Sequence, residues 1–283
     1  MITGVNGMFA TDLFQVSDQL GYNVVGFSHD QLDITQSDQV VAAIEFEKPD
    51  VVVNTPGIGV DICETSPDNG FKLHSWGAAN VARACRKAKS VCVYISTCGL
   101  FGDDHKYYSE YDQVELKTQY AKSKYWGEKL TLEHCEKTYI IRPGWLFGGR
   151  PDHARNFVFQ RYLEALDKNI LSSASDKFGC PTYTKDLAFK LLELVESEQY
   201  GLYHLTNSGG ASRFEYVKHI IDSFKLSTTV KAVDSSGFPR SAPVPDCELL
   251  DNVNVKFLGL DPMPQWDDAI QRYVDLIKKT YIT

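Results

Sequence analysis

Short apolar runs alternate with helical periods through the first half of the chain. Residues 22–27 (YNVVGF), 50–54 (DVVVN), 90–96 (SVCVYIS) and 138–142 (TYIIR) are too short for helices and largely apolar at successive positions, as strands buried on both faces of a parallel sheet are. Between the first two of these runs and the N-terminus, Phe9, Leu13, Val16 and Leu20 recur at steps of 4, 3 and 4, one face of a helix. Further helices are expected over 35–48, over 69–88 and from near Tyr120. Such alternation predicts an α/β protein with a doubly wound parallel sheet and helices on both of its faces.

The second half is less regular. Helical periods cover 157–168 and 185–198, a strand is expected at 201–206 (GLYHLT), and a further helix over 212–224 opens with Ser212 and Glu215 at capping-box spacing. A Pro- and Ser-rich loop follows at 235–245, and a last helix runs from about 266 to 279. The pattern divides the chain into a dinucleotide-binding domain over 1–145, to which 185–206 returns, and a smaller C-terminal α/β substrate lobe made of 146–182 and 207–283.

Composition narrows the class. The 283 residues are 43% hydrophobic and 23% charged, as in ordinary globular proteins, and no apolar run is long enough to span a membrane. The first residues lack the basic start of an export signal, so a cytoplasmic location is expected. A net charge of −8 argues against nucleic acid as a partner. Seven cysteines, an odd number with no C-x-x-C pair, point to reduced thiols, and no metal site is expected.

Three local patterns carry candidate chemistry. Gly4, Gly7 and Ala10 stand at G-x-x-G-x-x-A spacing before the first helical period, where a tight turn brings backbone amides to a pyrophosphate. Only three residues precede Gly4, so the first strand is short or the sequence begins inside it. The second strand ends in Ser28 and His29, neither the acid that favours a free ribose nor the Arg that favours a 2′-phosphate, so NADP(H) and NAD(H) both stay open. Asp33, with Ile34, lies either near the adenine or at the cap of the next helix. Tyr120 and Lys124 share one face of a helix, where an ammonium lowers the phenol's pKa and the phenol passes a proton to a carbonyl oxygen. Upstream, an apolar strand ends in Ser96-Thr97, whose hydroxyls can meet the same carbonyl at the ligand-binding edge of the sheet.

With these patterns in order, together with Asn54 and IIRPGWLFG (140–148), the chain resembles the extended short-chain dehydrogenase/reductases, which have the Rossmann fold. It is more closely similar to the dTDP-4-dehydrorhamnose reductases through STCGLF (96–101), VDICE (60–64), the Arg142–Trp145 spacing, SDKFGCPTYTKDLA (175–188) and GLYHL (201–205). The resemblance implies that Gly4, Gly7, Met8 and Phe9 hold the cofactor's pyrophosphate and that Thr97 polarises a ketone. It implies that Tyr120 is the acid and that Lys124 positions Tyr120 and the nicotinamide ribose. Cys98 and Trp145 would then meet the sugar, and Arg240 a phosphate of the nucleotide. Departures from the pattern are Cys98 for an Asp, Gly99 for a Tyr, His74 for an Asn, NTPG (54–57) for Asn-Ala-Ala, and RSAPVPDCELL (240–250) for Arg-Pro-x-x-Ser-x-Leu. The expected function is NAD(P)H-dependent reduction of the 4-keto group of a nucleotide-linked deoxysugar. A homodimer is left open. The rival expectations are an epimerase of the same superfamily and a non-catalytic, nucleotide-binding regulatory subunit.

Overall fold

The computed structural model describes residues 1–282. Through the first half, strands and helices alternate as β1 (Ile2–Thr3), α1 (Met8–Gln19), β2 (Gly26–Phe27), α2 (Ser37–Glu47), β3 (Val51–Asn54), α3 (Val60–Thr65), α4 (Pro67–Phe71), a π-helical turn (Lys72–Gly77), α5 (Ala78–Ala88), β4 (Val91–Ile95), α6 (Gln119–His134) and β5 (Thr138–Pro143). The second half runs β6 (Trp145–Phe147), α7 (Phe157–Asp167), β7 (Ile170–Ala174), β8 (Phe178–Gly179), β9 (Pro181–Tyr183), α8 (Thr184–Glu196), β10 (Gly201–Leu205), β11 (Ala211–Ser212), α9 (Arg213–Phe224), β12 (Thr229–Val233), β13 (Cys247–Glu248), α10 (Val253–Phe257) and α11 (Trp266–Thr280).

Six strands form one parallel sheet in the order β10-β5-β4-β3-β1-β2, a Rossmann arrangement. Successive side chains leave opposite faces of each strand. On one face Val53, Val93, Ile95, Tyr139 and Ile141 meet Phe9, Leu13 and Val16 of α1 and Leu187, Leu191 and Leu194 of α8. On the other, Val52 and Cys92 meet Val40 and Ile44 of α2 and Val81 and Cys85 of α5. Both faces are thus covered by helices, which is why these strands read as continuous apolar runs.

The edge of this sheet differs from the expected one. Of residues 22–27 only Gly26–Phe27 pair as a strand, and β1 holds two residues. The segment 69–88 is not one helix either: α4 passes through the π-helical turn before α5 resumes. The carbonyl of His74 in that turn accepts from the Tyr94 hydroxyl at 2.9 Å, so a backbone group displaced from regular helical pairing finds a partner.

Short strands build the rest. β6 pairs β9, β7 pairs β12, and β8 lies between β11 and β13. Most of these strands were not legible from periodicity, since β6, β8, β9, β11 and β13 hold only two or three residues, too few to show alternation. Phe147, Tyr216, Ile270, Tyr273 and Ile277 form the core between them and helices α9 and α11. The Ser212–Glu215 capping box is present at the start of α9. No described helix is long and apolar enough to cross a membrane.

Candidate active site

The turn after β1 uses Gly4 at φ 72°, in the left-handed region that glycine favours. A side chain there would press on Thr55 Oγ1 (3.0 Å) and Pro56 Cγ (3.1 Å), so the turn also nests against the loop after β3. Gly7 donates to Gly4 O at 2.9 Å and then caps α1 without any side-chain cap. The first-turn amides of Met8 and Phe9 therefore have no intrahelical acceptor, the state of a helix N-terminus that receives a phosphate. The Phe9 side chain points the other way, into the core. Asp12, one turn on, accepts from Gly149 N (2.9 Å) and from Thr184 Oγ1, which ties the 148–149 turn against Met8.

Asp33 and Ile34 part company. Asp33 accepts from Thr35 N at 2.9 Å and is half-buried, while Gln36, not Asp33, caps α2. Ile34 is buried in the second core against Gly77. The Ile34 side chain is thus engaged in the core, while Asp33 stays at the surface of the same turn.

Tyr120 and Lys124 lie on α6, whose start is capped by Thr118 accepting from Ala121 N (2.9 Å). Both side chains come to the carboxyl ends of β3 and β4. Lys124 is buried; its ammonium donates to Ile95 O (2.9 Å) and stands 5.2 Å from the centre of the Tyr94 ring. A Cβ on Gly57 would lie 3.6 Å from Lys124 Nζ and 3.5 Å from His74 Nε2. Gly4, the 55–57 loop, Lys124 and Tyr120 are thus joined in one continuous wall.

The electrostatics correct the sequence-based picture of this pair. Burial pushes the Tyr120 phenol above its ordinary value, and the neighbouring Thr97 hydroxyl only partly offsets this. Lys124 is lowered to about 8, again by burial. Desolvation outweighs the attraction between them because neither charged form is well hydrated. Tyr120 is consequently a neutral acid at neutral pH rather than a loosened phenol.

His74 fixes Tyr120 from below. Ile58 N donates to Nε2 (3.1 Å), so Nδ1 carries the proton and gives it to Ser123 Oγ (2.9 Å), which donates to Tyr120 O (2.9 Å). The imidazole meets the phenol ring edge-on, with centres 5.4 Å apart. Burial, reinforced by Lys124 and Arg155, lowers His74 to about 2. His204, buried behind β5 and bonded to Asp251 O, is lowered to about 3. Both are bases held neutral in the fold but free to protonate near pH 6.5 when unfolded, so their contribution is lost as pH falls below that value. Each is expected to cost about 2 kcal/mol between pH 7 and pH 5. Urea unfolding at both pH values measures this, and His74→Asn should recover about half of the two-histidine loss. An unchanged pH slope in the variant would mean that His74 protonates as readily folded as unfolded.

Ser96 and Thr97 also separate. Ser96 Oγ donates to Glu128 Oε1 at 2.5 Å, and Glu128 takes a bidentate pair from Arg142 (2.8 and 2.6 Å), all buried. Ser96 and Arg142 therefore brace β4, β5 and α6. Ser96 and Thr97 both line a cleft of about 850 Å³ with Tyr120, Cys98, Trp145 and Arg240, but the Thr97 hydroxyl is not drawn to Glu128. Its Oγ1 accepts from Gly99 N (3.1 Å), which leaves its own proton to be directed at the Tyr120 oxygen or at a ligand beside it.

The far wall of the cleft holds residues that sequence reasoning missed. Glu248 on β13 accepts from Trp145 Nε1 (2.6 Å) and from Cys98 Sγ (3.6 Å), and a side chain on Gly99 would begin 3.0 Å from its Oε1. Burial and Glu248 push the Cys98 thiol well above its usual range, so it stays protonated. Trp145 lines the cleft with close neighbours against its ring. The Arg213 guanidinium lies 3.5 Å over the ring, and Gly179 packs where any side chain would overlap Cε2, Cζ2 and Cδ2 at once, which only a face-on approach allows. The indole is half-buried and lines the cleft between these two neighbours. Arg240 reaches the cleft but is exposed and paired with Asp61 at 2.7 Å. A carboxylate beside residue 98 was invisible in the sequence because it arrives from a strand 150 positions away.

Comparison with known proteins adds the following. A family model described as RmlD substrate binding domain matches residues 1–279. The spore coat polysaccharide biosynthesis protein SpsK of Bacillus subtilis is 31% identical over 276 residues, 97% of this chain and 96% of that protein. A dTDP-4-dehydrorhamnose reductase of Streptomyces griseus is 31% identical over 283 aligned positions, 95% of this chain and 91% of that one. The crystal structure of a dTDP-4-dehydrorhamnose reductase from Bacillus anthracis, in complex with NADP, superposes with a TM-score of 0.93 at 29% identity and covers 97% of this chain and 98% of its own.

Proposed function

The chain belongs to the RmlD substrate binding domain family, and on that premise we propose that it is a ketoreductase: it reduces the 4-keto group of a nucleotide-linked deoxysugar with NADPH or NADH, as a dTDP-4-dehydrorhamnose reductase does. The observation that carries this reading is the meeting of a neutral buried-side phenol, Tyr120, with the hydroxyl of Thr97 at one cleft.

The residues present fit a dinucleotide. The uncapped first turn of α1, after Gly4 and Gly7, suits a pyrophosphate, and Lys124 would hold the ribose. When bound, the reduced nicotinamide supplies a hydride to the carbonyl carbon. Tyr120 gives its proton to the carbonyl oxygen as the C–O bond becomes an alcohol. Thr97 donates a hydrogen bond to the same oxygen, whose negative charge grows as the reaction proceeds. His74 and Ser123 keep the Tyr120 backbone in place while this happens. In this reading residues 1–145 with 185–206 hold the dinucleotide, and 146–182 with 207–283 hold the sugar nucleotide. On the same reading the protein acts in the cytoplasm.

The test is direct. Purified protein given dTDP-4-dehydrorhamnose is expected to oxidise NADPH, followed by loss of nicotinamide absorbance, with formation of the 4-hydroxy sugar. Ser28 and the exposed His29 at the end of β2 put no carboxylate against a 2′-phosphate, so NADPH should serve at least as well as NADH. Absence of reduction with dTDP-, UDP- and GDP-linked 4-ketosugars and both cofactors would overturn the proposal.

A further inference from the structure

Three cations line the large cleft: Lys177, Arg213 and Arg240. Lys177 is paired with Asp246 and Arg240 with Asp61. Arg213 has neither a hydrogen-bond nor an ion-pair partner for its side chain among the described residues, yet none of its nitrogens is sealed from solvent. It is not a mobile surface arginine. Its backbone is pinned by the Arg213 N to Lys177 O bond (2.8 Å) and by the capping box in which Ser212 N donates to Glu215 (2.7 Å). Its guanidinium lies flat on Trp145, with Phe157 5.1 Å from it on another side. Trp145 is itself held by Glu248 through the indole N–H and packed against Gly179.

We infer that Arg213 is the residue that fixes the anionic group of the substrate, the phosphates of the sugar nucleotide, and that Trp145 serves as its platform. This rests on the ketoreductase reading for the identity of the anion. Stacking leaves the edge of the guanidinium, with its fork of N–H donors, as the part open to the cleft, and that fork matches two phosphate oxygens. Partial burial of Arg213 thins the water around its charge, and the charge remains because an arginine so lowered still stays protonated. Glu248 is the nearest acid on this wall, but it is engaged by Trp145 and Cys98 and lies outside ion-pair distance of Arg213. An unpaired, partly desolvated cation beside a cleft is a costly arrangement that an incoming anion relieves.

The experiment is calorimetric titration of the full-length protein with dTDP, UDP and GDP, alongside NADP+ as a control for folding and for the other half of the site. Arg213→Gln is expected to weaken dTDP binding by about tenfold or more while NADP+ binding holds, Arg213→Lys to lose part of that, and Arg240→Gln to change dTDP binding by no more than about twofold. Equal dTDP affinity for Arg213→Gln and the wild-type protein would overturn this inference alone. So would a loss confined to Arg240→Gln, which would move the anion to the other arginine. Failure of the wild-type protein itself to bind dTDP, UDP and GDP alike would overturn the inference together with the ketoreductase reading.

Discussion

Replacing Tyr120 by Phe is expected to lower turnover about 10²–10⁴-fold, the range seen when a positioned general acid is removed. The substitution takes away one hydroxyl and little else. The ring keeps its edge contact with His74, and the Ser123 bond goes to the backbone carbonyl, so the helix and its cap persist. Binding of NADP+ and of dTDP should stay close to wild type, which separates lost chemistry from lost structure. Because burial holds the phenol above its ordinary value, the acid is present throughout the neutral range, and the wild-type rate should not decline from its deprotonation there. Turnover that survives in the Phe variant would assign the proton to another group and remove the central step of the mechanism.

Glu128→Ala is expected to be the most damaging single change to the scaffold under the site. It strands the buried Arg142 and deprives Ser96 of its acceptor in one step. Breaking one side of a buried ion pair typically costs about 3–5 kcal/mol. In a chain of this size that corresponds to a fall in Tm of roughly 10 °C. The double replacement Glu128→Ala with Arg142→Met should cost less than Glu128→Ala alone, because no lone charge is left inside. Urea unfolding of the single and double variants measures both. A single-variant cost below about 1 kcal/mol would mean that water reaches Arg142 and that the network does not brace the Thr97 strand.

Much of the first half was legible because its signals are physical and local. A parallel sheet covered on both faces needs unbroken apolar runs, and 50–54, 90–96 and 138–142 became β3, β4 and β5 nearly as written. The glycine spacing announced the turn at Gly4, and the four-residue separation placed Tyr120 and Lys124 on one face. What resisted reading were features settled by tertiary contact. β2 shrank to two residues at the sheet edge, where less packing supports it. Ser96 and Thr97 look equivalent in sequence, but only the fold binds the hydroxyl of one to Glu128 and leaves that of the other beside Tyr120. The effect of Lys124 on Tyr120 was misjudged because spacing reports proximity and not desolvation. Glu248 and Arg213 could not be found at all by motif, since their meaning depends on Trp145 lying between them in space.

The π-helical turn at Lys72–Gly77 has a consequence for how this site can vary. One additional residue in a turn rotates everything before it by about 100° relative to a regular helix. The sheet-facing stripe of α5 and the imidazole that supports Tyr120 are therefore set by different phases of what is otherwise one rod. Either can drift without dragging the other, so the packing of the sheet and the seating of the acid are free to evolve separately.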